Sequence, residues 1–211
     1  MFDLDGVIVD SNPVHSACWR EYLQAFGIQP EADFDARMYG RRNDEIVRMV
    51  FGESVPAADV TRHGADKERL YRERIGTALR NNLVAGVADF LDRHAEVPKA
   101  VATNGERANL EFILERSGFA RYFAVTLNGE QVTRPKPDPE IYLRTADLLG
   151  VPPRNCVVFE DSGAGVEAAR AAGTRVVGLT TTHAELPGTD LLVRDFSDPD
   201  LEQWLLTQSP E

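Results

Sequence analysis

The chain has 211 residues, 43% hydrophobic and 27% charged, an ordinary globular composition that excludes disorder, collagen and coiled coil as starting points. That length allows one large domain or one core with a smaller insert, and it buries enough surface to need no disulfide or structural metal. With 23 Lys and Arg against 34 Asp and Glu the net charge is −11, and no basic run offers a patch for nucleic acid or anionic lipid. Neither is expected as a partner, and a site for an anionic substrate must supply its own positive charge. Cys18 and Cys156 lack metal-type spacing and read as reduced, buried small hydrophobes. No stretch approaches the roughly 18 apolar residues of a membrane span. The acidic start, Met1-Phe2-Asp3-Leu4-Asp5, has no cationic region before an apolar one and does not read as a signal peptide. A cytoplasmic, reducing location and a monomer are the resulting expectations.

The first segment, around Phe2 to Val9, reads as strand-like. From Asn12 to Leu83 the pattern turns helical, with Val14, Cys18, Tyr22 and Phe26 recurring at steps of four. Asn43 is a candidate helix cap before Ile46, Val47, Val50 and Phe51, and Gly52 ends that segment. Pro56 starts a further helix through Leu70 to Leu79, whose charge run reads as a solvated face. From Gly86 short apolar runs alternate with amphipathic segments. Strands are expected at Val97–Thr103, Phe123–Leu127, Asn155–Phe159, Arg175–Leu179 and Leu191–Val193. Helices are expected at Glu106–Ser117, Glu140–Leu149, Val166–Ala172 and Leu201–Leu206. This alternation predicts crossover units and a parallel α/β sheet covered on both faces, with its chemistry at the carboxyl ends of the strands. The helical block becomes an insert after the first strand, hinged at Asp10–Pro13 and Leu83–Gly86. Residues 1–11 and 85–211 then form the core domain, and 12–84 a helical cap domain.

Four polar groups follow the expected strand ends: Asp3 and Asp5; Thr103-Asn104-Gly105; Lys136 within Arg134-Pro135-Lys136-Pro137; and Glu160-Asp161-Ser162-Gly163. Two carboxylates in a turn, with an acidic pair from another strand, make an oxygen-rich site that suits Mg²⁺ rather than zinc. A lysine and a hydroxyl beside them suit a phosphate. One carboxylate could attack phosphorus while a second protonates the leaving oxygen and then deprotonates water. Metal and lysine would offset charge on the transferring group.

Phe2-Asp3-Leu4-Asp5-Gly6-Val7 resembles the first motif of the haloacid-dehalogenase-like superfamily. Thr103, Lys136 and Glu160-Asp161 resemble its second, third and fourth motifs, in the same order. Within it the chain looks most like the β-phosphoglucomutase-like and sugar-phosphate phosphatase branch, over nearly its whole length. The resemblance implies a three-layer Rossmann-like core with a small helical cap. It implies Asp3 as nucleophile and Mg²⁺ ligand, and Asp5 as general acid/base with its backbone carbonyl on the metal. Thr103 and Asn104 would bind the phosphoryl group, Lys136 would hold nucleophile and phosphoryl oxygens, and Glu160 and Asp161 would position or ligate Mg²⁺. Tyr39-Gly40-Arg41-Arg42-Asn43 resembles the substrate-specificity loop of the cap. The mutase pattern has a lysine just before that glycine and an arginine three after it, where this chain has Tyr39 and Asn43. His15 matches a histidine that gates the acid/base in the mutase. Haloacid dehalogenation is disfavoured by the second Asp, and no cap lysine suited to an imine is evident for phosphonate cleavage. Members normally carry several apolar residues before the nucleophile; here only Met1 and Phe2 precede it, which would leave a buried central strand short of ladder hydrogen bonds.

The expected activity is Mg²⁺-dependent hydrolysis of a small phosphorylated metabolite, with a sugar phosphate foremost, through an aspartyl-phosphate. β-Phosphoglucomutase is the nearest rival. A receiver-type phospho-accepting domain and a non-catalytic binding protein are the others.

Overall fold

A computed structural model describes residues 1–208. Helices α1 (Asn12–Gln24), α2 (Phe34–Met38), α3 (Asn43–Phe51) and α4 (Ala57–Ala78) come first in the chain. Then α5 (Val87–Arg93), α6 (Arg107–Ser117), α7 (Glu140–Leu149), α8 (Gly163–Ala171) and α9 (Pro199–Leu206) alternate with five strands. The strands are β1 (Ala100–Ala102), β2 (Val125–Leu127), β3 (Val157–Glu160), β4 (Arg175–Leu179) and β5 (Leu191–Val193). β1 pairs in parallel with β2, and β3, β4 and β5 pair in parallel in that order. Residues 1–3 fill the gap between β1 and β3. Phe2 N–H donates to Ala100 O (2.9 Å), Ala102 N–H to Phe2 O (2.8 Å), Asp3 N–H to Phe159 O (3.0 Å) and Phe159 N–H to Met1 O (3.0 Å). The sheet order is thus β2, β1, residues 1–3, β3, β4, β5.

Side-chain alternation sorts this sheet into two cores. Phe2, Val101, Phe159 and Val177 face Phe90 of α5, Ile113 of α6, Phe196 in the loop before α9 and Leu201 in its first turn. Met1, Ala102, Val158 and Val176 face Ile141 and Tyr142 of α7 and Val166 and Ala169 of α8. This is the three-layer α/β arrangement with a parallel sheet that the alternation predicts. α1 to α4 gather around a separate cluster of Trp19, Leu23, Phe34, Met38, Ile46, Val47 and Val60.

Three local expectations are corrected. Phe2–Val9 is not a strand beyond its first residues. Gly6 takes φ +73°, and Ile8 and Val9 both fold back onto Leu4 O. Arg42, not Asn43, caps α3, which frees the Asn43 side chain for tertiary contacts. The charge run of α4 is not wholly solvated: Lys67 and Glu68 are buried. Two short helices, α2 and α5, have no counterpart in the sequence reading. Cys18 and Cys156 are free and buried, and burial pushes the Cys18 thiol up to about 11. No described helix is long and apolar enough to cross a membrane.

Candidate active site

The four motif loops meet at the carboxyl edge of the sheet, as open parallel sheets require. Asp3 follows Phe2, Thr103 follows β1 and Asp161 follows β3. Lys136 comes from the loop before α7, and its Nζ donates to Asp3 Oδ1 (2.7 Å), Glu160 Oε1 (2.6 Å) and Ala102 O (2.9 Å). All three hydrogens of the ammonium are therefore used. Asp3, Glu160 and Asp161 are buried, and one oxygen from each lies within 4.8 Å of the others.

That concentration of negative charge has electrostatic consequences. Burial, then the nearby Glu160 and Asp5 charges, push Asp3 up to about 7 against the pull of Lys136. Burial and the neighbouring carboxylates push Asp161 well above the usual carboxylate range. Burial would lower the Lys136 ammonium, but Asp3 and Glu160 outweigh it and raise its proton affinity. One lysine thus faces three carboxylates, a set of hard oxygens short of positive charge. Such a donor set fits a divalent cation of the Mg²⁺ type. The Asp5 carboxylate is not part of this trio.

The oxygens are not equally available. Glu160 is fully buried and its Oε1 accepts from Lys136 and from Tyr142 OH (2.5 Å). Its Oε2 accepts from Ser162 Oγ (3.1 Å) and the Asp161 N–H (3.2 Å). A Cβ on Gly165 would stand 1.9 Å from the Glu160 carboxyl carbon, so α8 can approach only with glycine there. Glu160 therefore orients Lys136 and anchors α8. Asp161 Oδ2 accepts from Asn12 Nδ2 (3.1 Å) and from Thr182 Oγ1. Gly6 lies so close that a Cβ there would fall 1.9 Å from that same oxygen.

Asp5 stands in different surroundings. Its Oδ1 accepts from Ser11 Oγ (2.5 Å) and lies 3.4 Å from His15 Nε2. Burial acts upward on Asp5, but His15 and Ser11 together hold it below its ordinary value. His15 stacks on Tyr71 with centroids 3.7 Å apart, and its Nδ1 lies 2.7 Å from Lys67 Nζ. Lys67 Nζ also donates to Glu68 Oε1 (2.6 Å). Lys67, on α4, is thus buried and hydrogen-bonded to a carboxylate and an imidazole.

The remaining candidates line one cavity of about 630 Å³ between α1–α4 and the motif loops. Thr103 Oγ1 accepts from the Gly105 N–H (3.0 Å). Asn104 Oδ1 accepts from the Lys136 N–H (3.1 Å), and its Nδ2 donates to Gly40 O (3.1 Å), tying the motif loop to the 39–43 loop. Arg41 and Arg42 line the cavity too; Arg42 lies 3.3 Å from Asp44, whereas the Arg41 side chain makes no hydrogen bond or ion pair among the described residues. Asn43 bridges two carboxylates, Glu68 Oε1 (2.7 Å) and Glu106 Oε1 (2.9 Å). Sequence reasoning missed Ser11, Asn12, Lys67, Glu68, Tyr142 and Thr182. One signal was present: Val60, Gly64, Lys67, Tyr71 and Ile75 recur at steps of three and four, so Lys67 lies on the buried stripe of α4.

The family model of the haloacid dehalogenase-like hydrolases matches residues 1–173. The chain belongs to this family. It is 33% identical over 185 residues to fructose-1-phosphate phosphatase YqaB of Escherichia coli (strain K12), covering 85% of this chain and 94% of that one. It is 29% identical over 211 residues to β-phosphoglucomutase of Bacillus subtilis (strain 168), covering 96% and 91%. The crystal structure of β-phosphoglucomutase from Clostridium difficile superposes with a TM-score of 0.84 at 24% identity, covering 96% and 94%; it shares the fold. The α/β core of this hydrolase family and its parallel sheet are thus those found here.

Proposed function

We propose that the protein is a Mg²⁺-dependent phosphatase of small phosphorylated metabolites, sugar phosphates foremost. The carrying observation is the difference in surroundings between Asp3 and Asp5. Asp3 shares a buried, cation-hungry pocket with Lys136, Glu160 and Asp161, whereas Asp5 stands apart on His15 and Ser11. Relatives named as a fructose-1-phosphate phosphatase and a phosphorylated carbohydrates phosphatase support the substrate class.

In this reading an Asp3 oxygen attacks phosphorus and the ester oxygen departs with a proton from Asp5. Water then attacks the aspartyl-phosphate, Asp5 takes its proton, and inorganic phosphate leaves. Asp5 rests as a carboxylate; the charge of a bound phosphate beside it raises its proton affinity, so it takes up a proton from water as substrate binds, gives that proton to the ester oxygen, and recovers one from the attacking water. Lys136 holds Asp3 in line and balances the transferring charge, with Thr103 and Asn104 on the phosphoryl oxygens. Asp3 and Asp161 would hold Mg²⁺, Glu160 acting beside them, and the ion would supply charge neutralisation at the phosphoryl group. Residues 12–84 act as a cap that shields the site from bulk water. His15, Gly40, Arg41, Arg42 and Asn43 serve the substrate side.

Phosphate release from a panel of phosphorylated metabolites with Mg²⁺, run beside Asp3→Asn, tests this. Sustained release by the wild type and none by the variant is expected. The relationship to β-phosphoglucomutase gives the second reading. Conversion of glucose 1-phosphate to glucose 6-phosphate without phosphate accumulation would establish it instead.

A further inference from the structure

The cavity has a second polar region beyond the motif residues, built from both the helical insert and the core. Glu68 Oε1 accepts from Lys67 and Asn43, and its Oε2 from Asn109 Nδ2 (2.6 Å). Asn109 Oδ1 in turn accepts from Arg72 (2.8 Å). Both Nδ2 hydrogens of Asn43 are spent on carboxylates, one on Glu68 and one on Glu106. Glu106 Oε2 has no hydrogen-bond donor among the described residues, although the group is half-buried and lines the cavity. Glu130 lines the same cavity and accepts from the Arg107 N–H (3.0 Å). The cations here are mostly committed: Lys67 to Glu68, Arg42 to Asp44, and Arg48 to the Glu53 carbonyl (3.1 Å). Arg41, on the exposed rim, is not.

A half-buried carboxylate on the cavity wall, one oxygen of which takes no donor from the described residues, can accept from a hydroxyl or an ammonium of a bound substrate. It repels a second phosphate, because like charges brought together away from bulk water cost more than they do at the surface. We infer that this site takes a substrate with one phosphate and a hydroxyl-bearing body, and that Glu106, seated by Asn43 against Glu68, discriminates against bisphosphates. The inference rests on the phosphatase reading for which end of the substrate enters first, and it makes Glu106 a specificity residue.

Binding tests it separately from turnover. Dissociation constants are measured by titration calorimetry in Asp3→Asn with Mg²⁺, for glucose 1-phosphate, fructose 1-phosphate and ribose 5-phosphate and for the bisphosphates of the same sugars. The measurement is repeated in Asp3→Asn/Glu106→Gln. At least one monophosphate should bind about tenfold or more tighter than its bisphosphate, and Glu106→Gln should shrink that ratio at least about threefold. Competition of the same pairs against p-nitrophenyl phosphate hydrolysis by the wild type should give the same ranking. Equal or tighter bisphosphate binding, a ratio unmoved by Glu106→Gln, or no monophosphate binding overturns the inference. Tighter bisphosphate binding that Arg41→Ala abolishes would assign the rim to a distal phosphate, and overturn it as well. Selective binding with no phosphate release by the wild type would refute the phosphatase reading and leave this inference standing.

Discussion

Asp3 and Asp5 lie two residues apart and carry opposite electrostatic histories. Asp3 is pushed up by burial among carboxylates, and Asp5 is held down by His15 and Ser11. If Asp3 is the nucleophile, Asp3→Asn should abolish phosphate release while circular dichroism and melting temperature stay near those of the wild type; substantial residual turnover would remove it from that role. If Asp5 moves the proton, Asp5→Asn should lose about 10²–10⁴ in kcat, the usual weight of general acid/base work. A near-normal rate would move that work elsewhere. Asp3, Asp5, Thr103, Lys136 and Asp161 were legible because each sits in a short turn whose chemistry is local to the sequence. Tyr142 was not, because a tyrosine on an apolar helix face reads as packing until its hydroxyl is seen on Glu160.

α4 shows why a helix can hide half of a site. Its run Asp66-Lys67-Glu68-Arg69 alternates in fate: Asp66 and Arg69 pair at the surface (3.0 Å), while Lys67 and Glu68 point inward. Composition reads such a run as a solvated face, and only the three-to-four spacing with Tyr71 and Ile75 argues otherwise. Burial acts upward on Glu68, but Lys67, His15 and Asn109 outweigh it and hold the carboxyl near 2, below its ordinary 4.5. A depressed carboxylate contributes stability above pH 4.5 and loses it as pH falls toward 2. Glu68→Gln leaves Lys67 without its buried counter-ion and should cost about 3–5 kcal/mol at pH 7. Its urea midpoint should also fall less than that of the wild type between pH 4.5 and 2. Parallel acid limbs in the two proteins would sink this account. The Gly6 turn is a second element-scale dependency. Gly6→Ala adds a left-handed backbone penalty of about 1–2 kcal/mol to a clash with Asp161, so melting temperature and kcat should fall together.

At the scale of the molecule, the layer order was readable from alternating strand and helix patterns, because a sheet buried on both faces needs apolar runs bounded by turns. Boundaries were less so: Val97–Thr103 shrinks to Ala100–Ala102, and the expected first strand survives only at residues 1–3, where pairing depends on β1 and β3 rather than on local propensity. A cation held by the Asp3–Glu160–Asp161 trio stabilises the folded chain by mass action, by about 2.7 kcal/mol at a hundred times its dissociation constant. Mg²⁺ should therefore raise the melting temperature of the wild type in a way EDTA reverses, and Asp161→Asn should lose most of that shift; equal shifts in both would remove Asp161 from the ion. The passages into and out of the helical insert meet each other before they part. Asp10 N–H donates to Asn82 O (2.7 Å) and Val84 N–H to Ile8 O (3.1 Å), with Val9 and Leu83 paired antiparallel between them. The two crossings thus form a single two-stranded ribbon. If residues 12–84 move as a cap, both passages turn in tandem about that one axis, and since Ile8 and Asp10 belong to the same short loop as Asp5, the pivot would lie a few residues from the group proposed to move the proton.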